Sequence, residues 1–325
     1  MKKIRTISID TGNRMMKTPN FIFSASHIEA GHLETNSDET LWFNGKKYSL
    51  VDTLFPHLTD KTESDRYFIL SLFAIALELN RDEKLHRVKY LPHDIIRIRL
   101  LIGLPISHCA KLSERYVEYF KRDGGLVKFE YEGRTFLIQI ADVLCYPQGV
   151  AAALSVFGKI KDTRVVNVID IGGFTVDCAR LVEMKPDTTK CLSFYSGVNN
   201  LFNNINVSVR STGKTEIPVD VIEAILRKDS KALHDASHTR YTLITEAART
   251  HAVSILERIT NEGYDLEEDT TLFIGGGSAL LKPHFDATKK VMRPLFINDV
   301  HANAKGYEIM YAAAVAKANA ASNAG

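Results

Sequence analysis

The sequence lacks long apolar runs, paired cysteines and an excess of one charge, and each absence excludes a class of protein. No apolar run reaches the length of a membrane-spanning helix, and no signal peptide is recognisable, so we expect neither a membrane protein nor a secreted one. The four cysteines contain no Cys-x-x-Cys pair, which argues against a zinc site and indicates reduced thiols in the cytoplasm. A formal net charge of only +2 argues against strong direct binding of DNA.

The rest of the composition is that of an ordinary globular protein. The chain has 325 residues, of which 45% are hydrophobic and 25% are charged. This length is sufficient for two domains, each with a core of its own. The function must therefore be sought in local motifs.

The most informative segment combines a buried strand with a glycine turn. Residues 165–171 form an almost unbroken apolar run, which is typical of a strand buried on both faces. Gly172 and Gly173 then allow backbone N–H groups to approach an anion, and Asp170 and Asp177 bracket the turn. An acid before the glycines reverses the order of a P-loop, which ends in Gly-Lys-Ser/Thr. The pattern predicts a phosphate-binding hairpin whose carboxylate contacts a hydrated metal or an attacking water. The alternative is an ordinary turn after a strand.

An earlier strand ends in a similar way. Residues 4–10 alternate and lead into Asp10-Thr11-Gly12-Asn13, and Lys17 follows seven residues after Asp10. A strand beginning near Phe21 would complete a hairpin, and Lys17 would then fold back towards a phosphate held by the turn. The alternative is an Asx turn with a surface lysine.

Later turns complete the set of candidate motifs. Gln148 lies in the first turn of a predicted helix over 150–157, where its amide either caps the helix or orients a water by donating and accepting together. Residues 271–278 end in a Gly-Gly-Gly-Ser turn, which either lets a flat ring lie against the backbone or makes a tight strand–helix connection. Residues 302–306 precede a predicted helix over 307–317, and residues 318–325 are expected to fray.

The sequence also predicts two domains, each with a small subdomain. Residues 32–90 contain a hairpin with an Asn-Gly turn and a helix over 64–79, and residues 210–242 are polar and helical. The predicted organisation is a first domain over 1–157, completed by 299–325, and a second domain over 158–298.

The order and spacing of the motifs resemble those of the actin-like ATPase superfamily, and within it the plasmid-segregation actins of the ParM/StbA family. The turn after Asp10 resembles the phosphate-1 motif of the superfamily, residues 170–177 its phosphate-2 motif and residues 275–278 its adenosine motif. Gln148 with the helix after it resembles the first connecting helix, and residues 302–306 resemble the second. The resemblance covers essentially the whole chain. It implies an α/β, actin-like fold, with two α/β domains around a nucleotide cleft and a small subdomain in each.

The resemblance also implies roles for individual residues. Asp10 and Asp170 would hold a hydrated Mg²⁺ through water, and Gln148 would orient the attacking water, with Asp170 as a candidate base. Lys17 would neutralise phosphate charge. The other nucleotide-binding positions are Gly12, Asn13, Gly172, Gly173, Phe174 and Thr175 near the phosphates, Gly197, Asn199 and Asn200 towards the ribose, and Gly275, Gly276, Gly277 and Ser278 towards adenine and sugar. Phe174 departs from the pattern, because many members have Thr at this point.

The function implied by this resemblance is a cytoplasmic, filament-forming ATPase that segregates plasmid DNA by polymerisation. ATP is the expected nucleotide, with GTP as an alternative. Further copies of the chain would be its main partner, together with a ParR-like DNA-binding adaptor on a centromere-like plasmid site. The alternative function is a non-polymerising ATPase or small-molecule kinase of the same superfamily.

Overall fold

The computed structural model describes residues 4–29, 39–53, 55–85 and 87–323. They form a mixed α/β protein, as the sequence predicts, and the chain divides into two units. Unit 1 is Met1–Ser155 with His301–Gly325, and unit 2 is Val156–Val300. The predicted start of the first small subdomain, at residue 32, lies outside the described residues. In the described ranges, no helix is both long enough and apolar enough to cross a membrane.

Unit 1 is built on one mixed sheet. Its strands are β1 (Arg5–Thr11), β2 (Met15–Lys17), β3 (Ile22–Ser24), β4 (His27–Glu29), β5 (Thr40–Phe43), β6 (Lys46–Leu50), β7 (Ile95–Leu104), β8 (Leu126–Tyr131) and β9 (Arg134–Pro147). Its helices are α1 (Arg66–Lys84), α2 (Ile106–Lys121), α3 (Val150–Leu154) and α10 (Ala302–Asn323). Among the described residues the strand order is β3-β2-β1-β7-β9-β8-β5-β6-β4. The central strands β1, β7 and β9 are parallel and largely buried, as expected for apolar runs.

The predicted hairpin with an Asn-Gly turn is confirmed. Asn44 and Gly45 join β5 to β6, and both have positive φ, which suits the right-handed twist of a tight hairpin. The hairpin extends the sheet of unit 1, because β5 pairs with β8. The helix predicted over 64–79 is observed as α1, whose apolar side chains share one core with this sheet.

Unit 2 contains a second, smaller sheet covered by helices. Its elements are α4 (Phe157–Ile160), β10 (Val165–Ile171), β11 (Thr175–Val182), β12 (Lys185–Tyr195), α5 (Val198–Ser211), α6 (Val219–Leu226), α7 (Ser230–Asp235), α8 (His238–Asn261), β13 (Thr270–Ile274), α9 (Gly276–Thr288) and β14 (Pro294–Phe296). The strand order is β12-β11-β10-β13-β14. The segment 210–242 is helical as predicted, and the buried Ile222 and Ile225 of α6 belong to the same apolar core as α8.

The last helix differs from the prediction at both ends. α10 begins at Ala302, so the motif over 302–306 forms its first turns instead of preceding it. It continues to Asn323, so residues 318–323 are helical where fraying was expected. Alanine is the best helix-forming residue, which accounts for a continuous helix through this alanine-rich segment.

Candidate functional site

The first glycine turn joins β1 to β2 and brings Asp10 and Lys17 together. The two residues are directly opposite each other in the antiparallel pair, and Lys17 Nζ lies 3.5 Å from Asp10 Oδ2. Asp10 is only 3% exposed. The prediction that a strand near Phe21 completes this hairpin is wrong, because β2 is already its second strand and β3 pairs with β2 in turn. Lys17 is therefore a fixed cross-strand partner of Asp10.

Gln148 completes this group from the turn that follows β9. Its Nε2 donates to Asp10 Oδ1 at 2.9 Å, and its backbone N–H donates to the carbonyl of Leu104 at 2.8 Å. The sequence placed Gln148 in the first turn of a helix, but β9 runs on to Pro147 and Gln148 lies in the turn between β9 and α3. The predicted helix over 150–157 is two short helices, α3 and α4. Gln148 is thus held by the sheet and contacts a carboxylate directly, which a simple helix cap would not do.

The two predicted connecting motifs meet next to Gln148. The N–H of Gly149 donates to Asn303 Oδ1 at 2.9 Å, and Gly149 has a φ of +75°. A Cβ added to Gly306 would overlap the backbone of Ala151, so α3 and α10 cross at a distance that only glycine permits. Tyr307 is fully buried beside them, and burial raises the pKa of its hydroxyl far above the usual range, with the nearby Asp10 adding to the effect.

Gly306→Ala is expected to lower the free energy of unfolding by about 1–3 kcal/mol, because a new methyl group would meet backbone that cannot move aside. Gly158→Ala is the matched control, since a Cβ there would have no atom within 4 Å. The control should leave the stability unchanged or raise it by up to about 1 kcal/mol. Urea unfolding measures both variants, and equal stabilities would contradict the close crossing of α3 and α10.

The first glycine turn is supported by residues that the sequence analysis missed. Lys61, only 6% exposed, donates from Nζ to the carbonyl of Thr11. The Tyr67 hydroxyl donates to Asn13 Oδ1 at 2.6 Å, and the Leu58 N–H donates to the same oxygen at 3.2 Å. The side-chain oxygen of Asn13 is therefore committed to the protein. Nothing in the sequence around Lys61 distinguishes it from a surface lysine.

The second glycine turn joins β10 to β11 as predicted. Asp170 and Asp177 are directly opposite each other in the pairing, and Thr175 Oγ1 donates to Asp177 Oδ2 at 2.8 Å. The N–H of Gly172 donates to the carbonyl of Thr175 at 2.9 Å. This bond closes the turn, so the Gly172 N–H does not point to a ligand, contrary to the prediction.

The beginning of α5 is docked on the carbonyl groups of this turn. The N–H groups of Gly197, Val198 and Asn199 donate to the carbonyls of Phe174, Gly172 and Gly173 at 3.0, 3.1 and 2.8 Å. A Cβ on Gly197 would come within 2.5 Å of Gly173, so this approach requires glycine. Gly197 therefore has a packing role that the sequence analysis did not assign to it.

The two asparagines at the beginning of α5 differ in their partners. Asn200 Nδ2 donates to the carbonyl of Tyr195 at 3.2 Å, which secures the start of the helix. Both polar atoms of the Asn199 amide are buried, and neither has a hydrogen-bond partner among the described residues. A buried amide without a partner is costly, so Asn199 is the stronger of the two candidates for contact with a ligand.

The Gly-Gly-Gly-Ser segment joins β13 to α9: Gly275 precedes the helix, and the other three residues form its first turn. Gly275 has a φ of +86°, and a Cβ there would come within 2.5 Å of Asp170 Oδ1. A Cβ on Gly277 would come equally close to Ile171, and Ser278 is buried with its hydroxyl donating to the Ile274 carbonyl. At Gly276 a Cβ would meet no atom within 4 Å. Gly276 therefore borders open space, while Gly275 and Gly277 lie against the end of β10. That these residues contact a nucleotide stays a prediction.

Two family models match successive parts of the chain. Residues 8–150 match the N-terminal domain of actin-like proteins, and residues 168–287 match the C-terminal part of the archaeal actin homologue MreB-like family. Both models describe actin-like proteins, and together they span most of the chain. No protein with a curated description matches this sequence.

Solved structures confirm the predicted actin-like fold. The archaeal actin homolog Ta0583 superimposes with a TM-score of 0.74 at 18% identity, over 95% of this chain and 99% of that one. The actin-like protein Alp7A gives 0.73 at 15% identity, over 98% and 99%. A subunit of a 15-stranded ParM filament from Clostridium botulinum gives 0.70 at 17% identity, over 94% and 98%. Ta0583 has also been solved in complex with ADP.

Proposed function

We propose that this actin-like protein binds ATP with Mg²⁺, hydrolyses the ATP, and assembles into filaments according to the nucleotide it holds. The observation that carries the proposal is the buried group at the end of β1, where Asp10 is held between Gln148 and Lys17. Phosphoryl transfer to water depends on positioning and charge compensation, and a carboxylate, an amide and an ammonium group supply both. The ADP complex of Ta0583 and the ParM filament support the proposal by similarity of fold.

The described residues fit a cation that is held through water. Asp170 is directly opposite Asp177 at the end of the β10–β11 pair, so a carboxylate stands beside the second glycine turn as Asp10 does beside the first. In the described ranges no group of three or more His, Cys, Asp or Glu side chains could hold a metal directly. Mg²⁺ keeps several of its waters and needs only one or two carboxylates, so we assign Asp10 and Asp170 to its hydration shell. When bound, the metal would neutralise charge on the β- and γ-phosphates.

The remaining residues of the proposed site orient the attacking water or bind the nucleotide. We assign Gln148 to positioning the attacking water, because its bond to Asp10 fixes the plane of its amide. The backbone N–H groups of Gly12, Asn13 and Gly173 are the proposed phosphate donors, and Gly172 is left out because its N–H closes the turn. Gly276 offers the open surface for the nucleoside, and Asn199 offers an unpaired amide for the ribose.

The cellular role we propose is segregation of plasmid DNA. The support is the likeness to ParM and to other actin-like filament proteins. A near-neutral chain, with a net charge of +2, is poorly suited to gripping DNA, so a separate ParR-like adaptor would connect the filament to a centromere-like plasmid site. Hydrolysis assays with ATP and with GTP, each with and without Mg²⁺, test the enzymatic half of the proposal. Mg²⁺-dependent hydrolysis of ATP is expected, and failure to bind or hydrolyse either nucleotide would contradict it.

Asn199→Ala is expected to weaken nucleotide binding about tenfold, while the nucleotide-free protein stays as stable as the wild type or becomes more stable. Without a ligand the amide is a buried unsatisfied group, which costs about 1–3 kcal/mol, so its removal relieves a penalty. With a ligand, the same removal deletes a hydrogen bond. Thermal unfolding without nucleotide and calorimetric titration with ATP measure the two effects.

Asn206→Ala is the matched control for this prediction, because it makes the same change in the same helix. Asn206 exchanges two hydrogen bonds with the backbone of Ile217, at 3.0 and 2.8 Å. Its removal should lower stability and leave nucleotide affinity unchanged. If Asn199→Ala behaves like this control, the Asn199 amide is structural.

A further inference from the structure

A cavity of about 620 Å³ lies in unit 1 where β1 and β7 begin. Its walls are the first residues of these two strands, the end of α1 and the connecting residues 87–94. β1 has Arg5 at this end and Asp10 towards the other, five residues and roughly 16 Å further along the strand. The cavity is therefore separate from the group around Asp10, and its volume is within the range of about 300–1,000 Å³ that is usual for ligand pockets.

The acidic residues of the cavity are already committed to the protein. Asp82 is almost fully buried; it accepts from Arg5 Nε at 2.5 Å and lies 4.0 Å from Arg87 Nη1. Asp94 Oδ2 accepts the backbone N–H of Leu91 at 3.1 Å. Both carboxylates therefore already bind residues that line or border the cavity.

Two basic residues of the cavity are not paired with its acidic residues. Neither Lys89 nor Arg97 is in an ion pair among the described residues, and the electrostatic partner of Lys89, Glu83, does not line the cavity. The lining as a whole carries four basic side chains, namely Arg5, Arg87, Lys89 and Arg97, against two acidic ones. A local excess of this size in a nearly neutral chain favours an anionic ligand.

The other walls of the cavity are apolar. Ile4, Val88, Ile95 and Ile96 line it, together with Tyr90. Val88 and Ile95 are 40% and 43% exposed, which is unusual for large aliphatic residues grouped around one concavity. An apolar body placed against them would remove this surface from water.

We propose that this cavity binds a small amphiphilic anion, in which a carboxylate, sulfonate or phosphate group is attached to an aromatic or aliphatic body. Arg97 and Lys89 pair with the anionic group, and the planar fork of Arg97 suits a two-oxygen contact. Val88, Ile95 and Ile96 contact the apolar body. The site is independent of the proposed nucleotide site, since the two lie towards opposite ends of β1.

Anilinonaphthalene sulfonate is the test probe, because it joins a sulfonate to an aromatic body, and phenylnaphthylamine is its uncharged counterpart. Both are titrated by fluorescence against the full chain under native conditions. We expect one saturable site for the sulfonate, with an affinity at least about tenfold higher than that for the uncharged probe. The double variant Lys89→Gln, Arg97→Gln should weaken binding of the sulfonate at least about tenfold and leave binding of the uncharged probe unchanged.

The matched control is the double variant Lys159→Gln, Lys185→Gln, which makes the same charge change at two exposed positions of unit 2. It should bind the sulfonate as the wild type does, and saturating ATP with Mg²⁺ should not displace the probe. Val88→Trp, which fills the cavity, should weaken the binding of both probes. It provides a second test if the double variant does not fold. The proposal is overturned if there is no saturable binding, if the control loses as much affinity as the cavity variant, or if neither cavity variant changes the affinity.

Discussion

Asp170→Asn is expected to reduce ATP hydrolysis by about a hundred- to a thousandfold. Asp170 ends a buried strand beside the second glycine turn, and we assign it to the hydration shell of Mg²⁺. The substitution keeps the shape of the side chain but removes its charge, and the loss of one preorganised electrostatic contact in a transition state has an effect of this size. Steady-state turnover at saturating ATP and Mg²⁺ measures it.

Asp177→Asn is the matched control, because Asp177 lies directly opposite in the same hairpin and loses the same charge. One oxygen of Asp177 already accepts from Thr175, so its proposed role is to hold the turn. Turnover of this variant should stay within about tenfold of the wild type. Near-normal turnover of Asp170→Asn, or an equal loss in both variants, would remove Asp170 from the mechanism.

Gln148→Ala is expected to reduce turnover about a hundredfold and to leave nucleotide affinity nearly intact. An amide that orients water acts mainly in the transition state, so the ground-state complex should be little affected. Single-turnover hydrolysis and calorimetric binding separate the two quantities. If ATP affinity fell in proportion to turnover, Gln148 would hold the structure of the site instead.

The observed contact with Asp10 makes a second substitution at this position informative. Gln148→Glu would replace a donor at 2.9 Å from Asp10 Oδ1 with another carboxylate. Opposed carboxylates raise the pKa of one member of the pair, so a proton or a more tightly bound cation would be needed between them. We therefore expect the Mg²⁺ dependence of turnover to shift in Gln148→Glu but not in Gln148→Ala. An identical Mg²⁺ dependence in both variants would place Gln148 away from the metal.

The strand-and-turn motifs could be predicted from the sequence because each depends on local residues. The apolar run of β10 and its two glycines specify a buried strand and a tight hairpin without reference to the rest of the chain. The hairpin at Asn44-Gly45 is another example, since only residues that tolerate positive φ fit its turn. The order of these motifs was sufficient to predict the actin-like fold.

The corrections concern residues whose role depends on distant partners. β2 has only three residues, Met-Met-Lys, and shows no alternation that would mark it as a strand. The donation from Lys61 to Thr11 spans fifty residues of sequence, so no local pattern could reveal it. In the sequence, Gly275 and Gly277 suggest an open turn. In the structure they lie so close to Asp170 and Ile171 that a side chain would not fit. In each case tertiary contact, and not local propensity, decides the role of the residue.

Sedimentation most directly tests whether the nucleotide controls assembly, as we propose. The full chain at micromolar concentration is centrifuged with ATP, with a slowly hydrolysed ATP analogue, with ADP and without nucleotide, each with Mg²⁺. Contacts that differ between nucleotide states bias the subunit towards one conformation, and subunits in one conformation can repeat a head-to-tail contact without closing. We expect most of the protein to pellet with ATP or its analogue and much less to pellet with ADP or without nucleotide. A chain that stays monomeric under all four conditions would contradict the filament proposal and favour a non-polymerising ATPase or kinase of the same fold.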